Sequence, residues 1–138
     1  DKHEAKNSAI SVGVKSPGMK YRHYAPEAPL GIAEGEGGAM LRRMARAIAQ
    51  SSARRIGILA AAEDAPFFAK LKDKRVKVLS VGSRRDLRTV ARGLFNILRK
   101  FDTLNVDLII SESFPEHGIG AAIMERLRRA SVPPNSHY

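Results

Sequence analysis

The chain is 138 residues long, carries 24 Lys and Arg against 14 Asp and Glu for a net charge of +10, and contains no cysteine. A chain of this size buries roughly two thirds of its unfolded surface, enough for one hydrophobic core but not for two full domains. Without cysteine there is no disulfide framework, thiolate zinc site or cysteine nucleophile. The longest apolar run, Ile58 to Ala62, falls far short of the ~18 to 20 residues of a membrane span. A cytoplasmic protein with no membrane partner is therefore expected. The opening Asp1-Lys2-His3-Glu4 has neither an initiator Met nor the apolar core of a signal peptide, and reads as an excerpt from a longer chain.

Residues 1 to 38 hold five basic and five acidic residues, so the entire positive charge lies in residues 39 to 138. The first stretch is rich in Ser, Gly, Pro and Lys and has no sustained helical period, as expected of a linker. A weak strand is predicted at residues 30 to 34. Residues 39 to 51 form a helix that turns Met40, Leu41, Met44, Ala47 and Ile48 to one face and Arg42, Arg43 and Arg46 away from it. The run 55 to 61 (RIGILAA) reads as a strand buried on both sides, and Asp64 to Leu71 as a short helix with Pro66 in its first turn. Residues 76 to 81 (VKVLSV) give a second doubly buried strand. The longest helix, 86 to 104, turns Leu87, Val90, Ala91, Leu94, Leu98 and Phe101 inward. A third doubly buried strand follows at 106 to 111 (VDLIIS). The last helix, 119 to 130, turns Ile119, Ile123, Leu127 and Ala130 inward and is stopped by Pro133-Pro134. Strands alternating with helices through right-handed crossovers predict an α/β fold: a three-layer, Rossmann-like open sheet, mainly parallel, with helices on both faces.

Such a sheet invites a nucleotide, but its fingerprints are incomplete. Gly35-Glu36-Gly37-Gly38 has Met40 where a third glycine would complete GxGxxG, and neither it nor Gly118-Ile119-Gly120 is followed by the Lys-Ser/Thr of a phosphate loop. Both clusters read as tight strand-to-helix turns. Ser111, Glu112, Ser113, Glu116 and His117 crowd the end of the last strand, without the flanking glycines of a nucleophile elbow, and read as a polar loop capping the next helix. His3, His23, His117 and His137 lack ligand spacing, so no metal site is expected. Arg85, Arg88, Arg92 and Arg99 make a basic stripe that is a candidate RNA-contact face, with Arg126, Arg128 and Arg129 as a second, although aromatic content is only 6%.

The densest chemistry lies in the segment that looks least structured. Ser16 to Pro26 (SPGMKYRHYAP) packs Lys20, Tyr21, Arg22, His23 and Tyr24 into five consecutive positions between prolines. In an extended chain Lys20, Arg22 and Tyr24 share one face, suited to phosphate or carboxylate, while Tyr21 and His23 share the other. A strap over an anionic ligand and a stiff tether pinned on its own domain are equally compatible with these residues.

This motif resembles the interdomain linker of the Sua5 branch of the YrdC/Sua5 family of L-threonylcarbamoyl-AMP synthases. Gly82 to Leu87, Leu94-Phe95 with Leu98-Arg99, Val106 to Ile109, and Gly118 to Met124 with Arg126-Leu127 resemble that family's C-terminal Sua5 domain. Glu125 departs from the Asn usual before the Arg-Leu pair. The resemblance implies a linker over residues 1 to 28, a Sua5 C-terminal domain over 29 to 131 and a tail over 132 to 138. It implies a parent enzyme that joins threonine, bicarbonate and ATP, with Mg, into threonylcarbamoyl-AMP and pyrophosphate for N6-threonylcarbamoylation of tRNA adenosine 37. On this resemblance the catalytic YrdC-like domain precedes the linker and is its main partner, tRNA or tRNA-modification proteins are further partners, and the present chain binds no cofactor and is inactive alone. Lys20, Tyr21, Arg22, His23 and Tyr24 would then form an active-site lid. The alternative is a freestanding Rossmann-like module that binds RNA or a nucleotide.

Overall fold

A computed structural model describes Ile10 and residues 25–131. Four strands, β1 (Leu30–Ile32), β2 (Ile56–Ala60), β3 (Val76–Ser80) and β4 (Leu108–Ser111), form one sheet in the order β1-β4-β2-β3. Every neighbouring pair is parallel, with Leu30 opposite Ile109, Ile58 opposite Ile110 and Ile56 opposite Val76. Between the strands run α1 (Gly37–Gln50), a 3₁₀ turn (Ala62–Asp64) leading into α2 (Ala65–Ala69), α3 (Leu87–Thr103) and, after β4, α4 (Ile119–Ser131). The α/β open sheet expected from the alternation is the observed one.

Strand periodicity divides the core in two. Ile56, Ile58 and Ala60 turn to one face, where they meet Met40, Met44 and Ile48 of α1 and Phe68 of α2, joined by Ile110. Leu59, Ala61 and Ile109 turn to the other, under Val90, Leu94, Leu98 and Phe101 of α3 and Ile123, Met124, Leu127 and Ala130 of α4. The glycine in β2 has a packing reason, since a Cβ on Gly57 would sit 2.6 Å from the ring of Phe101. The chain is seated in this core before β1 begins: Pro26 is buried and Ala28 belongs to the α3/α4 side. Ile10 packs against the α1/α2 side.

Three sequence expectations change. β3 is not buried on both faces, because it is an edge strand flanked only by β2, and Lys77 and Ser80 are exposed. Ala91 and Ile119 do not face inward. Ala91 lies just outside the buried stripe of α3. Ile119 begins α4 in its first turn, ahead of the buried residues Gly120, Ile123 and Met124, and stays 42% exposed. Among the described residues, no helix is long and apolar enough to cross a membrane.

Candidate functional site at the strand ends

In an open parallel sheet, a ligand crevice opens beyond the carboxyl ends of adjacent strands whose following helices go to opposite faces. Here β2 leads to α2 on one face and its neighbour β4 leads to α4 on the other, so one such crevice lies between β2 and β4. Glu112 and Arg84 meet across it. Past β4, Glu112 continues the ladder by donating its amide to Leu59 O at 3.0 Å, and its side chain turns back into the interior with no exposure. Glu112 Oε2 accepts the Ala61 amide at 3.1 Å, capturing a backbone donor at the end of β2. Arg84 closes the other side: its Nε and Nη2 donate to Glu112 Oε1 at 3.1 and 2.6 Å, Nη2 also reaches Ser113 O at 2.6 Å, and Nε meets Asp64 Oδ2 at 3.3 Å. The guanidinium lies 4.7 Å from the centre of the Phe114 ring.

The turn after β3 holds Arg84 in place. Gly82 takes φ +142°, and a Cβ there would come within 2.7 Å of the Thr89 and Val90 backbone. Ser83 N donates to Thr89 Oγ1 at 2.8 Å. Glu63 accepts the Ser83 hydroxyl and, at 3.0 Å, the Arg84 amide. These two hydrogen bonds, the hydroxyl's first, hold the Glu63 carboxyl down to about 2. Glu112 moves the opposite way: burial, aided by hydrogen bonding to Asp64 and opposed by Arg84, pushes its carboxyl up to about 8. One guanidinium thus clasps two carboxyl groups and the ends of β2, β3 and β4.

A raised carboxyl pKa means that the folded state holds this proton more tightly than the unfolded chain. The associated stability is complete below about pH 4.5, the ordinary value, and is lost as pH rises through about 8. Urea unfolding should therefore show wild type losing stability across that window relative to Glu112→Gln. Parallel pH profiles for the two proteins would contradict the assignment.

The remaining candidates fall into place around this clasp. Ser111 Oγ donates to Glu112 O and Ser113 Oγ to Gly35 O, each at 2.8 Å, so both hydroxyls are engaged. Residues 111–114 are buried, so the first half of the expected polar capping loop is an internal tie, while Glu116 pairs with Arg128 at the surface and His117 is exposed. Both glycine clusters are tight turns. Gly35, Gly37 and Gly118 have positive φ, and a Cβ on Gly120 would lie 1.8 Å from Pro115 O. Arg85, Arg88, Arg92 and Arg99 are all exposed on α3 or its entry; Arg88 is held by Asp86 at 3.1 Å, and Arg99 stacks on Phe95 at 5.6 Å. Glu125, the departure from the family pattern, pairs with Arg129 one turn along α4 at 3.6 Å. Lys20, Tyr21, Arg22, His23 and Tyr24 lie outside the described residues. Among the described residues, no group of three or more His, Cys, Asp or Glu could hold a metal ion.

The Arg84–Glu112 clasp was not among the sequence candidates. A glutamate directly after the apolar run LIIS, at the end of a strand buried from both sides, was the available signal, because a carboxyl there needs a polar partner. Its partner stands 28 residues earlier on another element.

The fold and the strand-end cluster define a doubly wound α/β domain with a buried Arg84–Glu112 pair between the ends of β2 and β4. The sequence profile of the family described as "Threonylcarbamoyl-AMP synthase, C-terminal domain" matches residues 2–132, and the chain belongs to that family. The threonylcarbamoyl-AMP synthase of Bacillus subtilis (strain 168) is 47% identical over 118 residues, covering 84% of this chain and 32% of the relative. That of Pyrococcus abyssi (strain GE5 / Orsay) is 36% identical over 120 residues, covering 85% and 32%. The crystal structure of P. abyssi Sua5 complexed with L-threonine superposes with a TM-score of 0.61 at 31% identity, over 92% of this chain and 35% of that one. The structure of a P. abyssi Sua5 variant with alanine in place of an adjacent His and Tyr gives a TM-score of 0.59 at 27% identity, over 81% and 32%. The chain thus spans about a third of the length of the relatives it matches.

Proposed function

We propose that this domain serves a threonylcarbamoyl-AMP synthase as an accessory unit, and that its linker motif closes over a catalytic centre carried by another part of that enzyme. The observation that carries the reading is the extent of the family match, which takes in residues 2–132 and so joins the SPGMKYRHYAP motif to the domain. The reaction would join threonine, bicarbonate and ATP into threonylcarbamoyl-AMP, releasing pyrophosphate, for tRNA modification in the cytoplasm. Lys20 and Arg22 would offset phosphate charge, and Tyr21, His23 and Tyr24 would pack on or hydrogen-bond to the bound intermediate. Exclusion of water is the physical gain, since a carbamate and an acyl phosphate both hydrolyse readily. The L-threonine complex of the archaeal relative supports the substrate class. The relative studied with an adjacent His and Tyr replaced supports attention to His23-Tyr24, although the same dipeptide recurs at His137-Tyr138 outside the motif.

The Ala61 amide at the end of β2 is already occupied by Glu112, which supports placing the chemistry elsewhere. Incubated with ATP, threonine and bicarbonate, the 138-residue chain should release no pyrophosphate above blank. Robust turnover by this chain would overturn the accessory role.

A further inference from the structure

Asp102 stands in the last turn of α3, where the exposed carbonyls at the helix C-terminus make a carboxylate unfavourable. Its long-range contact accounts for its presence there. Asp102 Oδ1 accepts the amide of Glu27 at 2.8 Å, across 75 residues of sequence. Glu27 follows directly on the motif that ends at Pro26, and Pro26 itself is buried. Ala25, Pro26 and Glu27 line the groove between α3 and α4 together with Phe95, Arg99 and Asp102. The described chain therefore enters the domain along this groove and is fixed at its first amide after the motif.

We propose that Asp102 is a positioning residue for synthesis of the adenylate: by holding the Glu27 amide it fixes the root of the linker, and so sets where Lys20 to Tyr24 can reach. The proposal rests on the lid reading for its effect on turnover, whereas the anchor itself is tested without substrate. Asp102 touches no reacting atom and acts through the backbone. Asp102→Asn keeps the Oδ1 acceptor without the charge, and Asp102→Ala removes both.

Hydrogen exchange at the Glu27 amide, measured on the 138-residue chain, should accelerate about tenfold or more in Asp102→Ala and much less in Asp102→Asn, with unfolding of the domain nearly unchanged. In the full-length synthase, Asp102→Ala should lower kcat about fivefold or more with little change in KM for ATP, and Asp102→Asn should restore most of the rate. Unchanged exchange at Glu27 would overturn the anchor. Faster exchange with wild-type turnover would overturn the positioning role. Arg22→Ala, measured alongside, separates the two readings: if it lowers turnover while Asp102→Ala does not, only the positioning role fails, and if both variants turn over normally, the lid reading fails as well.

Discussion

Above about pH 8, where Glu112 is ionised, replacing Arg84 by Ala should lower the stability of the domain by about 3–5 kcal/mol, the cost of stranding one member of a buried ion pair. For a domain of this size, that corresponds to a fall in Tm on the order of 15 °C or more. The loss has several parts. Glu112, with no exposed side-chain surface, keeps only the Ala61 amide of its described donors, Ser113 O loses a 2.6 Å donor, and Phe114 loses the guanidinium over its ring. Because the Glu112 carboxyl is pushed up to about 8, the neutral acid softens the loss at lower pH, and the deficit of Arg84→Ala should widen as pH rises past that value. Glu112→Gln combined with Arg84→Met removes both charges while retaining an acceptor for Ala61, and should recover much of the deficit. Chemical denaturation at two pH values reads all of this. An Arg84→Ala variant within about 1 kcal/mol of wild type at the higher pH, the range of an exposed pair, would show that the clasp does not hold the strand ends together.

The layers of the fold were legible because they depend on local spacing. Met40, Met44 and Ile48 recur at four residues, and Val90, Leu94, Leu98 and Phe101 at three and four, so each helix announces the face it buries. The continuous apolar character of IGILA and LIIS predicts strands covered on both sides, and β2 and β4 are the two inner strands. VKVLS carries the same composition, but strand order decides burial, and β3 falls at the edge. Ala91 and Ile119 were misassigned for a related reason, since a helical stripe fixes an azimuth and not how far the neighbouring layer extends.

The strand-end cluster was only half legible. Its residues were visible one at a time, in Ser83-Arg84 after β3 and in Ser111-Glu112-Ser113 after β4, but a pairing 28 residues apart follows from strand order and not from either segment. Asp102 was hidden in the same way, because a carboxylate at the end of α3 reads as solvated until the chain at Glu27 is found beside it. The linker motif is the reverse case. Its chemistry is plain in the sequence, while Lys20 to Tyr24 lie outside the described residues.

That contrast sets the central test, which compares equal changes of charge at the linker and at the helix face in the full-length synthase. Arg22→Ala removes a forked donor suited to phosphate oxygens, whereas Arg92→Ala removes a charge from the exposed side of α3. Rates of threonylcarbamoyl-adenylate synthesis are measured for Arg22→Ala, Lys20→Ala, Tyr24→Phe and Arg92→Ala, with thermal unfolding as a control. A lid predicts that the three linker variants lose about tenfold or more in synthesis with folding stability nearly unchanged, and that Arg92→Ala does neither. Loss confined to kcat would assign the linker to water exclusion, and a raised KM for ATP at unchanged kcat would assign it to phosphate binding. Wild-type turnover in all three linker variants would contradict the account and leave SPGMKYRHYAP as a stiff tether.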